Sequence, residues 1–477
     1  MTDDGLRSAS AVPRIGPGRI ELRKRRAGGV SLAKIISLAL CLGWGLAAPA
    51  PRESGVFPYA PKVETLENGL RIVSVSLPHP NVIAYSTIVR SGSRNEIEPG
   101  KSGFARLFTR LMSEGTKQVP KAAYDEFLTR LGARTNATAA DDFTCFDVVF
   151  AGRDNLEKVV RTEADRFINP AYTEDSLKTG AAVIEGEYNA GAADPQQRLI
   201  EALRDTAFDR HSYKHTVRGD LKDIRDLPNQ YGYSLLYKKR FYAPDNTIIL
   251  AAGDFDPAAL AALVRKYYGA WEKSNYDLRT SAEPPQDKAR RARVDWPAPA
   301  LARIAVGYHG PAFSDTAADK AALDLLAELF FGPASPLYQK LVDRDRTCLS
   351  LAADFPDTRD PSLLVISAAV NSDPDLPAVE AEILKEIERA KAEPVPLPRL
   401  ADVKSRRKYG LARALETTEG VAGTLAFYLN LTGDPGTVKR LFDICDKITA
   451  RDIQDAARKY FKPSNSTTVT LSGGGAK

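Results

Sequence analysis

The sequence predicts an α+β protein built from two tandem copies of one domain. The first observation is an internal repeat. The segment FYAPDNT from Phe241, running on through IILAAG to Asp254, has a counterpart in YFKPSNS from Tyr460, which leads into TTVTLSGGG. Tyr242 and Phe461 stand 219 residues apart, and self-similarity at a fixed period marks a repeated structural unit. The second observation is that the same offset pairs IAYSTIVRSGS (from Ile83) with ARIAVGYHGPA (from Ala302), and GFARLFTRLMSEG (from Gly103) with ALDLLAELFFG (from Ala322). The third is the order of elements: strand-like and helix-like stretches interleave without the regular alternation of a doubly wound sheet, which favours α+β.

Taken in order, the chain opens with a leader. The basic run ELRKRR at 21–26 precedes an apolar stretch interrupted by Lys34 and ending in small residues around Ala47, Ala48 and Ala50. A positive head, an apolar middle and a small-residue exit are the order of a secretory signal, and the uninterrupted apolar run at 35–50 is short for a membrane span. Residues 1–50 therefore read as a signal peptide or an N-terminal anchor, and either exports the body to the periplasm or cell envelope. Contact with a membrane would arise only through an uncleaved leader.

The first domain is expected over 56–271. LRIVSVSL and TIILAAGDF are rich in β-branched residues and read as strands. AAYDEFLTRLG places Tyr124, Phe127, Leu128 and Leu131 on one helical face, and PAALAALVRKYYGAW is likewise helical. Residues 272–302 are rich in proline and charge and read as a linker. The second domain follows over 303–477.

Composition bounds the function. Hydrophobic residues make up 43% and charged residues 27% of the 477, an ordinary globular balance that excludes disordered, collagen-like and polytopic membrane proteins. The net charge of +5 lies wholly in residues 1–48, which hold eight Lys/Arg against three acids, so the body is neutral with 58 of each sign. A neutral body has no net field to attract phosphates, and nucleic acid is not an expected partner. The cluster KARRARVDW is the one local basic candidate, and it reads as exposed linker. Beyond the leader, Cys145, Cys348 and Cys445 lie in apolar contexts without metal-site spacing, as inert thiols do.

The tandem repeat, FYAPDNTIILAAGDFDP, HSYKHTVRGDLKDI (from His211), GPAFSDT (from Gly310) and SPLYQKLVDRD (from Ser335) together resemble the insulinase/pitrilysin family of zinc peptidases, in particular the bacterial two-domain members. That family includes the mitochondrial processing peptidase subunits. The resemblance covers about residues 63–471 and implies two similar domains facing each other as a clam-shell. Active members carry an inverted zinc motif, His-x-x-Glu-His, on a helix of the first domain. Its two histidines bind the metal, its glutamate activates a metal-bound water, and a glutamate from a later helix completes the ligands.

On that resemblance the motif positions fall on Arg106, Thr109 and Arg110. Arginine has no lone pair to donate and stays protonated, and threonine is not a carboxylate base. The later ligand position falls on Glu187, the one residue of the set retained. The Arg-Tyr pair that the family's second domain often contributes falls on Val342 and Leu349. His211 and His215 have i, i+4 spacing but no glutamate between them, and His79 and His309 have no partner in sequence.

Two functional expectations follow. In the first, the chain is a non-catalytic pseudo-peptidase: a peptide-binding or partner subunit of an active zinc-bearing relative, with no catalytic residue and no cofactor of its own. An ion pair among Arg106, Arg110 and Glu187, with Glu185 assisting, then occupies the space of the metal site. Two arginines facing one acid require a second acid or solvent access. In the second, it is a metalloendopeptidase acting on peptides through a non-standard site, and only there is zinc expected.

Overall fold

Two mixed sheets form the frame, each with helices on both faces, in a computed structural model that describes residues 57–473. The expected leader lies outside the described residues. The first sheet uses β1 (Lys62–Thr65), β2 (Arg71–Ser76), β3 (Val82–Val89), β4 (Arg134–Ala139), β5 (Thr144–Ala151) and β6 (Thr247–Gly253), in the order β1-β2-β6-β3-β5-β4. The second uses β7 (Arg290–Trp296), β8 (Ala302–His309), β9 (Cys348–Asp354), β10 (Leu363–Val370) and β11 (Ser466–Gly473), in the order β7-β11-β8-β10-β9. The two orders match once β1 is set aside. In each, a parallel pair (β2 with β6, β7 with β11) adjoins antiparallel pairs.

Alternation along the strands explains why both faces of the first sheet are covered. Ile72, Ile83, Tyr85, Phe146, Val148 and Ile249 point into one core, and Val73, Val75, Ala84, Ile88, Ile248 and Leu250 point into another. The first core holds α1 (Phe104–Leu111) and α2 (Glu174–Ala192). The next helix, α3 (Pro195–Ala207), leaves its own half. Its Leu199, Leu203 and Ala207 pack with Ala305, Leu363, Val469 and Leu471 of the second sheet. Gly307 on β8 admits it, because a Cβ there would press on Leu203 at 3.3 Å.

The second half returns the arrangement. Its core contains α4 (Ala318–Phe331) and α5 (Leu397–Ala414). Helix α6 (Thr418–Thr432) instead lays Val421, Ala422, Leu425 and Leu429 on the second face of the first sheet. Each half thus covers one face of the other half's sheet with one of its own helices, and the described residues 57–473 belong to one compact unit.

The expected linker is shorter than 272–302. Arg290–Trp296 is β7, parallel to β11, with Ala292, Val294 and Trp296 turned toward the α3 core. Apolar residues at every second position, masked by the basic composition, are the reason. The arginines of that strand are paired: Arg290 with Asp209, Arg291 with Glu380 and Arg293 with Asp295.

Candidate functional site

Helix α1 buries Phe104, Ala105, Leu107, Phe108, Thr109 and Leu111, leaving Arg106 and Arg110, one turn apart, on its open side. Gly103, at φ 97°, precedes the helix and has no side chain to cap it. The cap comes from a distance: Glu96 accepts hydrogen bonds from the Gly103 and Ala105 N–H groups at 2.9 and 2.6 Å. Burial pushes the Glu96 carboxyl up to about 7, against the pull of His215 and these two donors.

Helix α2 brings Glu187 to the two arginines. Arg106 donates from Nε to Glu187 Oε2 at 2.9 Å, and Arg110 donates from Nη2 to Glu187 Oε1. One carboxylate thus bridges two guanidinium groups. Burial alone would raise the Glu187 carboxyl, but the bonds from Arg110 and Arg106 outweigh it and hold it below its ordinary value. The side chains of Arg106, Arg110 and Glu187 are 32%, 40% and 29% exposed, so solvent balances the second positive charge. Exposed pairs of this kind contribute about 0–1 kcal/mol each.

Glu185 does not assist. Two residues from Glu187, it points around the helix and pairs with Arg225 at 3.0 Å. The Thr109 hydroxyl turns back to donate to the Arg106 carbonyl at 2.7 Å. Val342 is half-buried in the Gln339–Arg344 turn, and Leu349 stands 63% exposed on β9. The histidines are dispersed. His211 opens a short 3-10 turn, Ser212–Lys214, so its i, i+4 spacing to His215 is not helical. His211 Nδ1 accepts from the Tyr213 N–H, its Nε2 lies 2.8 Å from Asp360, and His215 Nδ1 lies 3.0 Å from the Thr216 carbonyl. His79 meets Thr418, and His309 meets the Ala207 carbonyl.

The repeat places a reversed counterpart in the second half. The residue 219 positions after Glu187 is Arg406 on α5, and it donates to Glu328 of α4 at 2.8 Å. Its neighbour Arg407 reaches Asp324, one turn before Glu328, at 3.1 Å. In the first half the arginines stand on the helix equivalent to α4, and in the second they stand on the helix equivalent to α2. Both helix pairs are joined by ion pairs of opposite polarity.

Residues 71–221 match the family described as Insulinase (Peptidase family M16), and residues 235–406 match the one described as Peptidase M16 inactive domain. Zinc protease PqqE of Helicobacter pylori is 30% identical over 425 residues, 87% of this chain and 93% of that protein. The chain belongs to the insulinase family, peptidase family M16. A solved protease structure from Helicobacter pylori superposes on this insulinase-family chain with a TM-score of 0.81 and 28% identity, covering 87% of this chain and 99% of that one. Cytochrome b-c1 complex subunit 1 of Rattus norvegicus is 26% identical over 277 residues, 57% of each chain.

The insulinase-family zinc ion does not fit the residues present. Among the described residues no group of three or more His, Cys, Asp or Glu could hold a metal ion. At the positions that the family resemblance assigns to the motif, two guanidinium groups engage the carboxylate that a dication would need.

A second site was not legible in the sequence. Asp360 accepts from Arg94 Nε at 2.6 Å and from Arg94 Nη2 at 3.0 Å, and faces His211. Its neighbour Arg359 donates its N–H to Asp142 at 2.9 Å, and its guanidinium to the carbonyls of Arg90 and Asn430. Burial and the nearby Arg90 push Arg359 down to about 9. Here a Pro-bounded loop of the second half locks onto the first. The only trace in the sequence is a charged Arg-Asp pair beside Pro361.

Proposed function

We propose that the chain is a non-catalytic member of the insulinase family that binds peptide and serves as a partner subunit of a zinc-bearing relative. The observation that carries the reading is the Arg106–Glu187–Arg110 bridge, which falls at the positions the family resemblance gives to the metal set. It removes the water-activating glutamate and both histidine ligands, and it engages the last carboxylate. Peptide has a natural berth: among the described residues β4 is an edge strand paired only with β5, and α1 packs beside it. An extended segment can add to such an edge through main-chain hydrogen bonds without any chemistry.

The partner is proposed to be another subunit of the same family, one that keeps the zinc motif. A relative that is a named subunit of the cytochrome b-c1 complex supports assembly as a role for this fold. The basic-then-apolar leader supports export to the periplasm or cell envelope.

The relative named zinc protease favours a second reading, a metalloendopeptidase with a non-standard site. Zinc analysis and a quenched-peptide assay on the purified chain separate the two. Stoichiometric zinc with chelator-sensitive cleavage would reject the non-catalytic reading. Recovery of the chain from its native envelope as a solitary monomer would reject the partner role.

A further inference from the structure

We propose that the open side of α1 and α2 is a carboxylate-recognition site, and that the peptides bound there are acidic. The inference rests on the peptide-binding reading above and specifies its ligand class.

Glu187 is not the only carboxylate clamped between two arginines. On α3, Glu201 accepts from Arg198 Nη1 at 2.8 Å and from Arg218 Nη2 at 2.6 Å. Arg218 reaches it by passing over Gly191, which lies one turn beyond Glu187 on the same face of α2. A side chain at 191 would collide with the Arg218 guanidinium and with Gln197 Oε1. The missing side chain therefore lets the two clusters follow one another along the helix. Four guanidinium groups thus clamp two carboxylates along this face, and Asp220 is a further acid close to Tyr188 of α2.

The donors are not used up. Of the hydrogen bonds described, Arg106 gives one from Nε and Arg110 one from Nη2, both to Glu187. Arg110 Nε is shielded from solvent and has no hydrogen-bond partner among the described residues. The side chains remain reachable, with exposures of 32% for Arg106, 40% for Arg110, 40% for Arg198 and 20% for Arg218. Planar guanidinium forks match a carboxylate in two-point geometry. Glu187 and Glu201 hold these forks in place, which lowers the ordering cost of engaging a further carboxylate. A peptide on the β4 edge runs beside α1, and a carboxylate on it meets these guanidinium forks.

The carboxylate could come from an acidic side chain or from a peptide C-terminus, and the experiment has an arm for each. Fluorescence anisotropy on the purified full chain compares three labelled extended peptides of otherwise equal sequence. One contains glutamate and has an amidated C-terminus, the second carries glutamine in its place and is amidated, and the third carries glutamine and has a free C-terminus. At low salt the glutamate peptide, the free-terminus peptide or both should bind about tenfold more tightly than the neutral amidated one, the size expected of a charge-assisted hydrogen bond. Whichever peptide gains the affinity identifies the source. In Arg106→Gln/Arg110→Gln, with folding checked by its melting curve, the ratio of affinities should fall to about one.

Equal affinities for all three peptides on the unmutated chain would overturn the inference and leave peptide binding standing. No binding of any peptide would overturn both. Zinc-dependent cleavage with an intact acidic preference would overturn only the non-catalytic reading.

Discussion

Arg94 grips Asp360 through two parallel hydrogen bonds, Nε to Oδ2 at 2.6 Å and Nη2 to Oδ1 at 3.0 Å, and so ties the first half of the chain to the second. Both side chains are mostly buried, at 14% and 22% exposed, and His211 closes on the same carboxylate. Removing one member leaves an uncompensated charge at the junction.

Asp360→Asn should therefore cost about 2–4 kcal/mol in urea unfolding, with the slope unchanged. Burial alone would raise the Asp360 carboxyl, but His211 and Arg94 hold it well below its ordinary 3.8. A depressed folded value means that this stabilisation is present above about pH 3.8 and is lost as the pH falls through the folded value. The variant should be flatter than the parent in acid. Equal midpoints for the two proteins at neutral pH would reject the role.

Glu96 has the opposite sign. Its carboxyl is raised from 4.5 to about 7, so the folded chain holds this proton more tightly than the unfolded one. Its contribution is greatest below pH 4.5 and declines as the pH rises to about 7, by on the order of 3 kcal/mol. Melting temperatures across that window should slope less steeply downward in Glu96→Gln. Glu96→Ala should also lose about 1 kcal/mol by uncapping Gly103 and Ala105.

The exchanged helices make the two halves one folding unit. Leu203→Ala on α3 and Leu425→Ala on α6 each remove a fully buried side chain and should cost about 2–5 kcal/mol. Trp271 belongs to the first core and Trp296 to β7, so tryptophan fluorescence and circular dichroism sample both halves. The transitions should coincide in the parent and in each variant. Residues 57–271 and 272–473 expressed separately should each fail to give a cooperative transition, since each leaves a sheet face uncovered.

Zinc affinity should be recoverable. Arg106→His, Thr109→Glu and Arg110→His together restore the inverted motif on α1 with Glu187 still on α2. Elemental analysis should find about one zinc per triple-variant chain, whereas the unmutated chain should give none. A triple variant that folds but takes up no zinc would mean that Glu187 is not placed as a ligand.

Much of this was legible from residue type and spacing. The 219-residue offset anticipates most of the matching strands: Thr247, which opens β6, maps to Ser466, which opens β11, and Thr144 of β5 maps to Leu363 of β10, whereas β4 and β9 fall out of step. Arg106 and Arg110 are unfit as ligands wherever they lie, because the chemistry belongs to the side chain itself. The strand Arg290–Trp296 was hidden because its arginines dominated the composition while its apolar residues alternated beneath.

What the sequence alone determined is local: the repeat, the confinement of the net charge to residues 1–48, and the absence of metal-ligating side chains at positions 106, 109 and 110. Tertiary structure decided the rest, because it concerns contacts between residues far apart in the chain. Glu185 and Glu187 are equivalent in composition, yet helical rotation sends one to Arg225 and the other to the two arginines. The same holds for Glu96 beneath α1, Arg218 across Gly191, and Asp360 on Arg94. Helices α3 and α6 carry apolar faces that any sheet could bury, and only the folded chain assigns each to the sheet of the other half.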